Sequence, residues 1–85
     1  MTIEVLYFAR VREEIGRDRE AIDPPEELVS VEDLVNWLSD RGAEYMAAFA
    51  NRKRLRCAVN QQFTKMSEPL CNAKEIAFFP IVTGG

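Results

Sequence analysis

Along residues 3–9 the apolar positions fall on both sides of an extended chain, with Ile3, Val5 and Tyr7 on one face and Leu6 and Phe8 on the other. This pattern predicts a strand buried on much of both faces. Residues 10–15 change period: Val11 and Ile15 stand four apart among good helix formers, and Gly16 is placed to stop a short helix. Glu20-Ala21-Ile22 reads as a second strand, closed by Asp23-Pro24-Pro25 because proline offers no ladder donor.

The strongest helical pattern opens at Ser30, whose hydroxyl can cap the first turn, with Glu32 and Asp33 complementing the helix dipole. Val31, Leu34, Val35 and Leu38 recur at helical spacing and Trp37 flanks them, so this helix is expected to face the core. Gly42 is expected to end it. A second helical segment over residues 43–50 carries a partial apolar stripe of Tyr45, Met46 and Phe49.

Residues 55–59 predict a third strand, Asn60-Gln61 a turn, Phe63-Thr64 a short partner, and Cys71 to Lys74 another turn. Residues 75–82 form the last strand, and the chain closes on Thr83-Gly84-Gly85. Strands at both ends with helix between them argue for an α+β fold whose sheet has helices on one face. Length allows one domain, assigned to residues 1–82 with 83–85 as a flexible tail.

Composition narrows the chemistry. The chain has no histidine, which removes Ser-His and Cys-His nucleophile pairs and imidazole metal ligands, and two cysteines cannot form a tetrahedral thiolate zinc site, so no metal is expected. Cys57 is read as a small core residue and Cys71 as a loop thiol, with no disulfide between them and no role beyond packing. A net charge of −3 opposes nucleic-acid binding despite the basic run Arg52-Lys53-Arg54-Leu55-Arg56, which reads as a solvated surface that could dock on a negatively charged partner. No apolar run reaches the roughly 20 residues that span a bilayer, and no signal segment opens the chain, so a cytoplasmic protein without membrane contact is expected.

The last residues then carry the chemistry. Glycine has no side chain and adopts backbone conformations closed to other residues, so Gly84-Gly85 can thread a narrow channel and expose the terminal carbonyl carbon. A terminal carboxylate ionises near about pH 3.5 and resists nucleophiles, so it needs activation, most simply by adenylation. The sequence holds no Gly-rich phosphate loop for that purpose. The ATP-dependent step is expected on a separate protein.

Phe78-Phe79-Pro80-Ile81-Val82-Thr83-Gly84-Gly85 resembles the ending of the molybdopterin synthase small-subunit family. Leu6-Tyr7-Phe8-Ala9 with Val11-Arg12-Glu13 and Gly16, Ala58-Val59-Asn60-Gln61, and Pro69-Leu70 are similar to its opening, middle and late loop. Asn72-Ala73-Lys74 departs from an acidic turn common in that family. The resemblance implies a ubiquitin-like β-grasp fold with a mixed sheet of four to five strands, its first and last strands adjacent. It further implies a sulfur carrier: Gly85 is adenylated by a ubiquitin-activating-like adenylyltransferase, converted to a thiocarboxylate, and donates sulfur to cyclic pyranopterin monophosphate in molybdenum cofactor biosynthesis.

The same resemblance makes the chain the sulfur-donating subunit of a two-subunit enzyme, with no autonomous catalytic residues and no permanent cofactor. The partner it implies is a large subunit, in a heterotetramer. Thr83 and Gly84 would thread the tail, and Phe78, Phe79, Pro80, Ile81 and Val82 would form the partner interface. Adjacent Phe78 and Phe79 must point to opposite sheet faces, so only one can enter the helix-covered core. A carrier for thiamine biosynthesis and a ubiquitin-like protein modifier share the fold and tail, and stand as alternatives.

Overall fold

The computed structural model describes residues 2–81. Five strands, β1 (Ile3–Tyr7), β2 (Arg19–Ile22), β3 (Leu55–Val59), β4 (Gln62–Thr64) and β5 (Glu75–Pro80), make one mixed sheet of order β2-β1-β5-β3-β4. Three helices, α1 (Ala9–Ile15), α2 (Val31–Ser39) and α3 (Ala43–Ala48), and a 3-10 turn (Arg52–Arg54) complete an α+β architecture. β1 and β5 lie side by side and parallel, with Val5 opposite Ile76 and Tyr7 opposite Phe78; the other pairings are antiparallel. The strand that leads into the chain's last residues therefore sits mid-sheet, hydrogen-bonded on both sides.

One face of the sheet makes the core. Ile3, Val5 and Tyr7 of β1, Leu55 and Cys57 of β3, and Ile76 and Phe78 of β5 are buried against Val11, Ile15, Val31, Leu34, Val35, Leu38, Tyr45 and Phe49 of the helical segments. Phe78 and Phe49 meet edge to face at 5.3 Å between centroids. Burying a side chain of that size stabilises by about 2–3 kcal/mol, so the stacked aromatic layer is a principal support of so small a domain.

Local chemistry explains the element ends. Ser30 Oγ accepts from the Asp33 amide while Asp33 Oδ2 accepts from the Ser30 and Val29 amides, a capping box that starts α2 where the sequence expects it. Gly16 ends α1 at φ 86°, a left-handed conformation that favours glycine, and its amide returns to the Arg12 carbonyl at 2.8 Å. The turn between β3 and β4 uses Asn60 and Gln61 at φ 50° and 70°, the two positive angles a tight two-residue hairpin requires. Asn60 also binds the segment before β5: its Oδ1 accepts from the Lys74 and Glu75 amides, and its Nδ2 donates to the Asn72 carbonyl.

Four expectations are corrected. β1 ends at Tyr7 rather than residue 9, because Phe8 becomes the N-cap of α1 and Ala9 its first residue. Its second face is not buried: Leu6 is half-buried and Phe8 exposed, since no helix covers that side. Gly42 does not end α2, which stops at Ser39; it precedes α3 as that helix's N-cap. Met46 is exposed, leaving Tyr45 and Phe49 as the buried members of the α3 stripe.

A carboxylate ties the helical layer to the sheet edge. Tyr7 and Tyr45 both donate their hydroxyls to Glu20 Oε2, at 2.8 and 2.7 Å, and Arg17 and Arg41 each reach Oε1 at 3.2 Å. Burial alone would raise the Glu20 pKa, but the two hydroxyls and two guanidinium groups outweigh it and hold the carboxyl below its ordinary value. Burial, together with the donated hydrogen bond and the adjacent carboxylate, pushes both tyrosine hydroxyls upward, so they stay protonated donors. Among the described residues no helix is long and apolar enough to cross a membrane.

Candidate functional site

The site begins at the end of β5, the last described strand. Phe79 and Ile81 lie two residues apart, and the Ile81 amide donates to the Arg54 carbonyl at 2.6 Å, so both amides face β3. The missing amide of Pro80 then falls on the β1 side, where β1 has already ended at Tyr7. Proline costs no ladder bond there. The last described residue is thus pinned to the chain just before β3, giving whatever follows a fixed point of departure. Val82, Thr83, Gly84 and Gly85, four of the sequence-predicted site residues, lie outside the described residues.

Phe78 is fully buried in the core, which contradicts its assignment to the partner interface: its side chain packs on Phe49 and has no exposed surface to offer. Phe79 takes the opposite face and is half-buried, its ring meeting that of Phe63 edge to face at 5.6 Å. Pro80 and Ile81 are likewise half-buried.

The register assembles a patch around Phe79. Residues directly opposite one another share a face, so Leu6, Ala77, Ala58 and Phe63 form one row across β1, β5, β3 and β4. Phe79 and Arg56 form the next row, and Phe8, just past the end of β1, donates its amide to the Phe78 carbonyl at 3.0 Å beside it. Phe63 is 84% exposed and Phe8 46%, so this uncovered face presents aromatic surface rather than a polar one. At the far end of the face Glu4 stands opposite Glu75, with Arg19 paired to Glu4 at 2.9 Å. An apolar strip bordered by charge is the anatomy of a protein-docking surface.

Leu6, Phe8, Ala58, Phe63 and Ala77 were not reached from sequence. The available signal was period-two alternation in β1, β3 and β5, but using it requires knowing which strands are neighbours.

Cys57 and Cys71 are free thiols. Cys57 is buried against the Thr64 and Lys65 carbonyls, at 3.5 and 3.8 Å, and burial, with Glu68 adding to it, raises its pKa. It is a packed, unreactive group. Cys71 is exposed on the loop before β5, as expected.

Comparison with known proteins agrees with this arrangement. The model of the ThiS family matches residues 5–85. The molybdopterin synthase sulfur carrier subunit of Escherichia coli is 39% identical over 83 residues, covering 98% of this chain and 99% of that protein. Two solved structures share the fold. Small archaeal modifier protein 1 of Haloferax volcanii is 20% identical with a TM-score of 0.72, over 95% of this chain and 98% of that one. A chain from the complex of subunits 1 and 2 of the Helicobacter pylori molybdopterin-converting factor is 20% identical with a TM-score of 0.61, over 100% of both.

Proposed function

The chain belongs to the ThiS family, and from that premise we propose that it is the sulfur-carrier subunit of a molybdopterin synthase. The observation that carries this reading is the end-to-end similarity to a sulfur carrier subunit, 39% identical across nearly the whole of both chains. The fold supports it by setting β5, the last described strand, in the middle of a ubiquitin-like β-grasp sheet, beside an open aromatic face.

In this reading the Gly85 carboxylate attacks the α-phosphate of ATP on a separate adenylyltransferase, and pyrophosphate leaves. A sulfur donor then displaces AMP from the acyl adenylate and leaves a thiocarboxylate. The tail, slender at Thr83, Gly84 and Gly85, enters the large subunit and passes its sulfur to cyclic pyranopterin monophosphate; two such donations, from two loaded carriers, supply the two sulfurs of the dithiolene, and oxygen from water restores each carboxylate. The chain contributes the reacting group and the means of positioning it. Residues that polarise the acyl carbon belong to its partners, and the assembly is a cytoplasmic heterotetramer of two small and two large subunits.

Phe79, Pro80, Ile81 and Val82 carry the approach to the large subunit, joined by Phe63, Phe8 and Leu6 on the open face. Incubation with the adenylyltransferase, ATP and a sulfur source is expected to raise the intact mass by the exchange of one oxygen for one sulfur at Gly85. A carboxylate that persists while a known carrier is converted would refute the assignment. Removing Gly85 is expected to abolish sulfur transfer and leave thermal unfolding unchanged, because a chain terminus adds little stability.

A further inference from the structure

The basic run Arg52-Lys53-Arg54-Leu55-Arg56 has no part in carrying sulfur, yet it lies beside the point where the tail departs. Arg52, Lys53, Arg56 and Lys65 line a surface groove with Thr64 and Met66 at the β3–β4 end of the sheet. The Arg54 backbone holds Ile81. Arg10, Arg17, Arg19 and Arg41 each have a carboxylate partner. Arg52, Lys53, Arg54, Arg56 and Lys65 have none among the described residues, in a chain whose net charge is −3.

Two of these cations are already ordered. Arg56 Nη1 donates to the Lys53 and Leu55 carbonyls, both at 2.9 Å, and Arg52 Nε donates to the Phe49 carbonyl at 2.8 Å. A guanidinium has five N–H donors, so each keeps donors for an outside acceptor while its geometry is partly set in advance. Arg56 also lies directly across from Phe79, which makes the basic groove continuous with the apolar docking face.

We propose that this basic groove is a docking surface for Asp and Glu side chains on the large subunit, ringing the pocket that receives the tail. The inference rests on the sulfur-carrier reading. An anionic tail calls for a cationic pocket, whereas the collar around its base calls for an acidic rim, and the alternation of sign fixes how the two proteins seat. Single-stranded RNA fits less well: Glu4 and Glu75 stand on the same sheet face, and Phe63 and Phe79 meet edge to face rather than offering parallel stacking platforms.

The test measures association of the full-length chain with its large subunit at 50 and 500 mM NaCl. Two variants are compared with the wild type: the triple Lys53→Gln/Arg56→Gln/Lys65→Gln, and the double Lys53→Gln/Lys65→Gln, which leaves the Arg56 hydrogen bonds in place. At low salt the triple variant is expected to lose about tenfold in affinity and the double variant a smaller factor, with both differences shrinking below about twofold at high salt, where screening is strong. Both variants matching the wild type at 50 mM would overturn the proposal. So would a defect confined to the adenylyltransferase, or a 20-nucleotide RNA that binds the wild type and competes with the large subunit.

The Gly85 mass shift separates the two readings. If sulfur is loaded and the wild type binds the large subunit, insensitivity to these substitutions defeats only the groove assignment. If no sulfur is loaded, the function reading fails first, and this proposal falls with it.

Discussion

Phe63 on β4 and Phe79 on β5 touch edge to face across the intervening strand, 5.6 Å between ring centroids, on the side of the sheet that no helix covers. Such a pair adds about 0.5–1.5 kcal/mol beyond area burial, a modest gain for a contact in which Phe63 is largely in water and Phe79 half-buried. The exposure of Phe63 makes better sense as binding surface than as core.

Truncating an aromatic residue on each face of the sheet, Phe63 on the open face and Phe78 on the covered one, is therefore expected to have opposite consequences. Phe63→Ala should change unfolding free energy by less than about 1.5 kcal/mol while weakening large-subunit binding by about tenfold or more, as a central aromatic anchor does. Phe78→Ala, emptying a fully buried site, should cost about 3–5 kcal/mol. Urea unfolding and a binding titration on the same two variants distinguish these outcomes; a stability loss from Phe63→Ala as large as that from Phe78→Ala would contradict the open face.

Acid should act through Glu20. Its folded pKa lies below the ordinary 4.5. The stability it supplies is thus fully present above about pH 4.5 and is lost as pH falls toward and through the lowered folded value, where the unfolded chain binds the proton more readily. Glu20→Gln removes the charge that Tyr7, Tyr45, Arg17 and Arg41 surround, and should cost about 2–3 kcal/mol at neutral pH. The gap between variant and wild type should narrow below pH 4.5. Chemical denaturation from pH 3 to 7 reads it; a gap independent of pH would assign the effect to packing.

The β3–β4 turn holds a removable strain. Gln61 sits at φ 70°, where a side chain costs about 1–2 kcal/mol relative to glycine. Part of that gain is offset by glycine's greater freedom when unfolded, so Gln61→Gly should stabilise by about 0.5–1 kcal/mol. Asn60→Ala should destabilise, because three hydrogen bonds to residues 72–75 go with it. Thermal denaturation of both variants checks the pair of signs.

Thiol chemistry should divide the cysteines. Cys71 is exposed and should react with an aromatic disulfide reagent in the native protein; Cys57, buried with a raised pKa, should react only at the rate of unfolding. Two equally fast thiols would place Cys57 at the surface.

Much of this architecture could be read from local pattern. Ser30 and Asp33 announce the start of α2, Gly16 the end of α1, and Asn60-Gln61 the hairpin, because caps and turns are made by residues near in sequence. The same locality misled at Gly42: a glycine after an apolar stripe marks a helix end, but α2 had already stopped, and no side-chain spacing distinguishes the last turn of one helix from the lead-in to the next.

What the chain determines by itself is the kind and order of its elements, the burial of Cys57 and the absence of histidine chemistry. Alternation also requires Phe78 and Phe79 to part. Which of them faces water was decided only when β5 settled between β1 and β3 with α1, α2 and α3 on one side, since a face is covered or open according to elements far away in sequence. The same long-range pairing brought Leu6, Phe8, Ala58, Phe63 and Ala77 around Phe79, gathered Tyr7, Tyr45, Arg17 and Arg41 on Glu20, and set Arg56 beside the docking face. Each of these depends on strand register or helix packing, which carries no signature within any one segment.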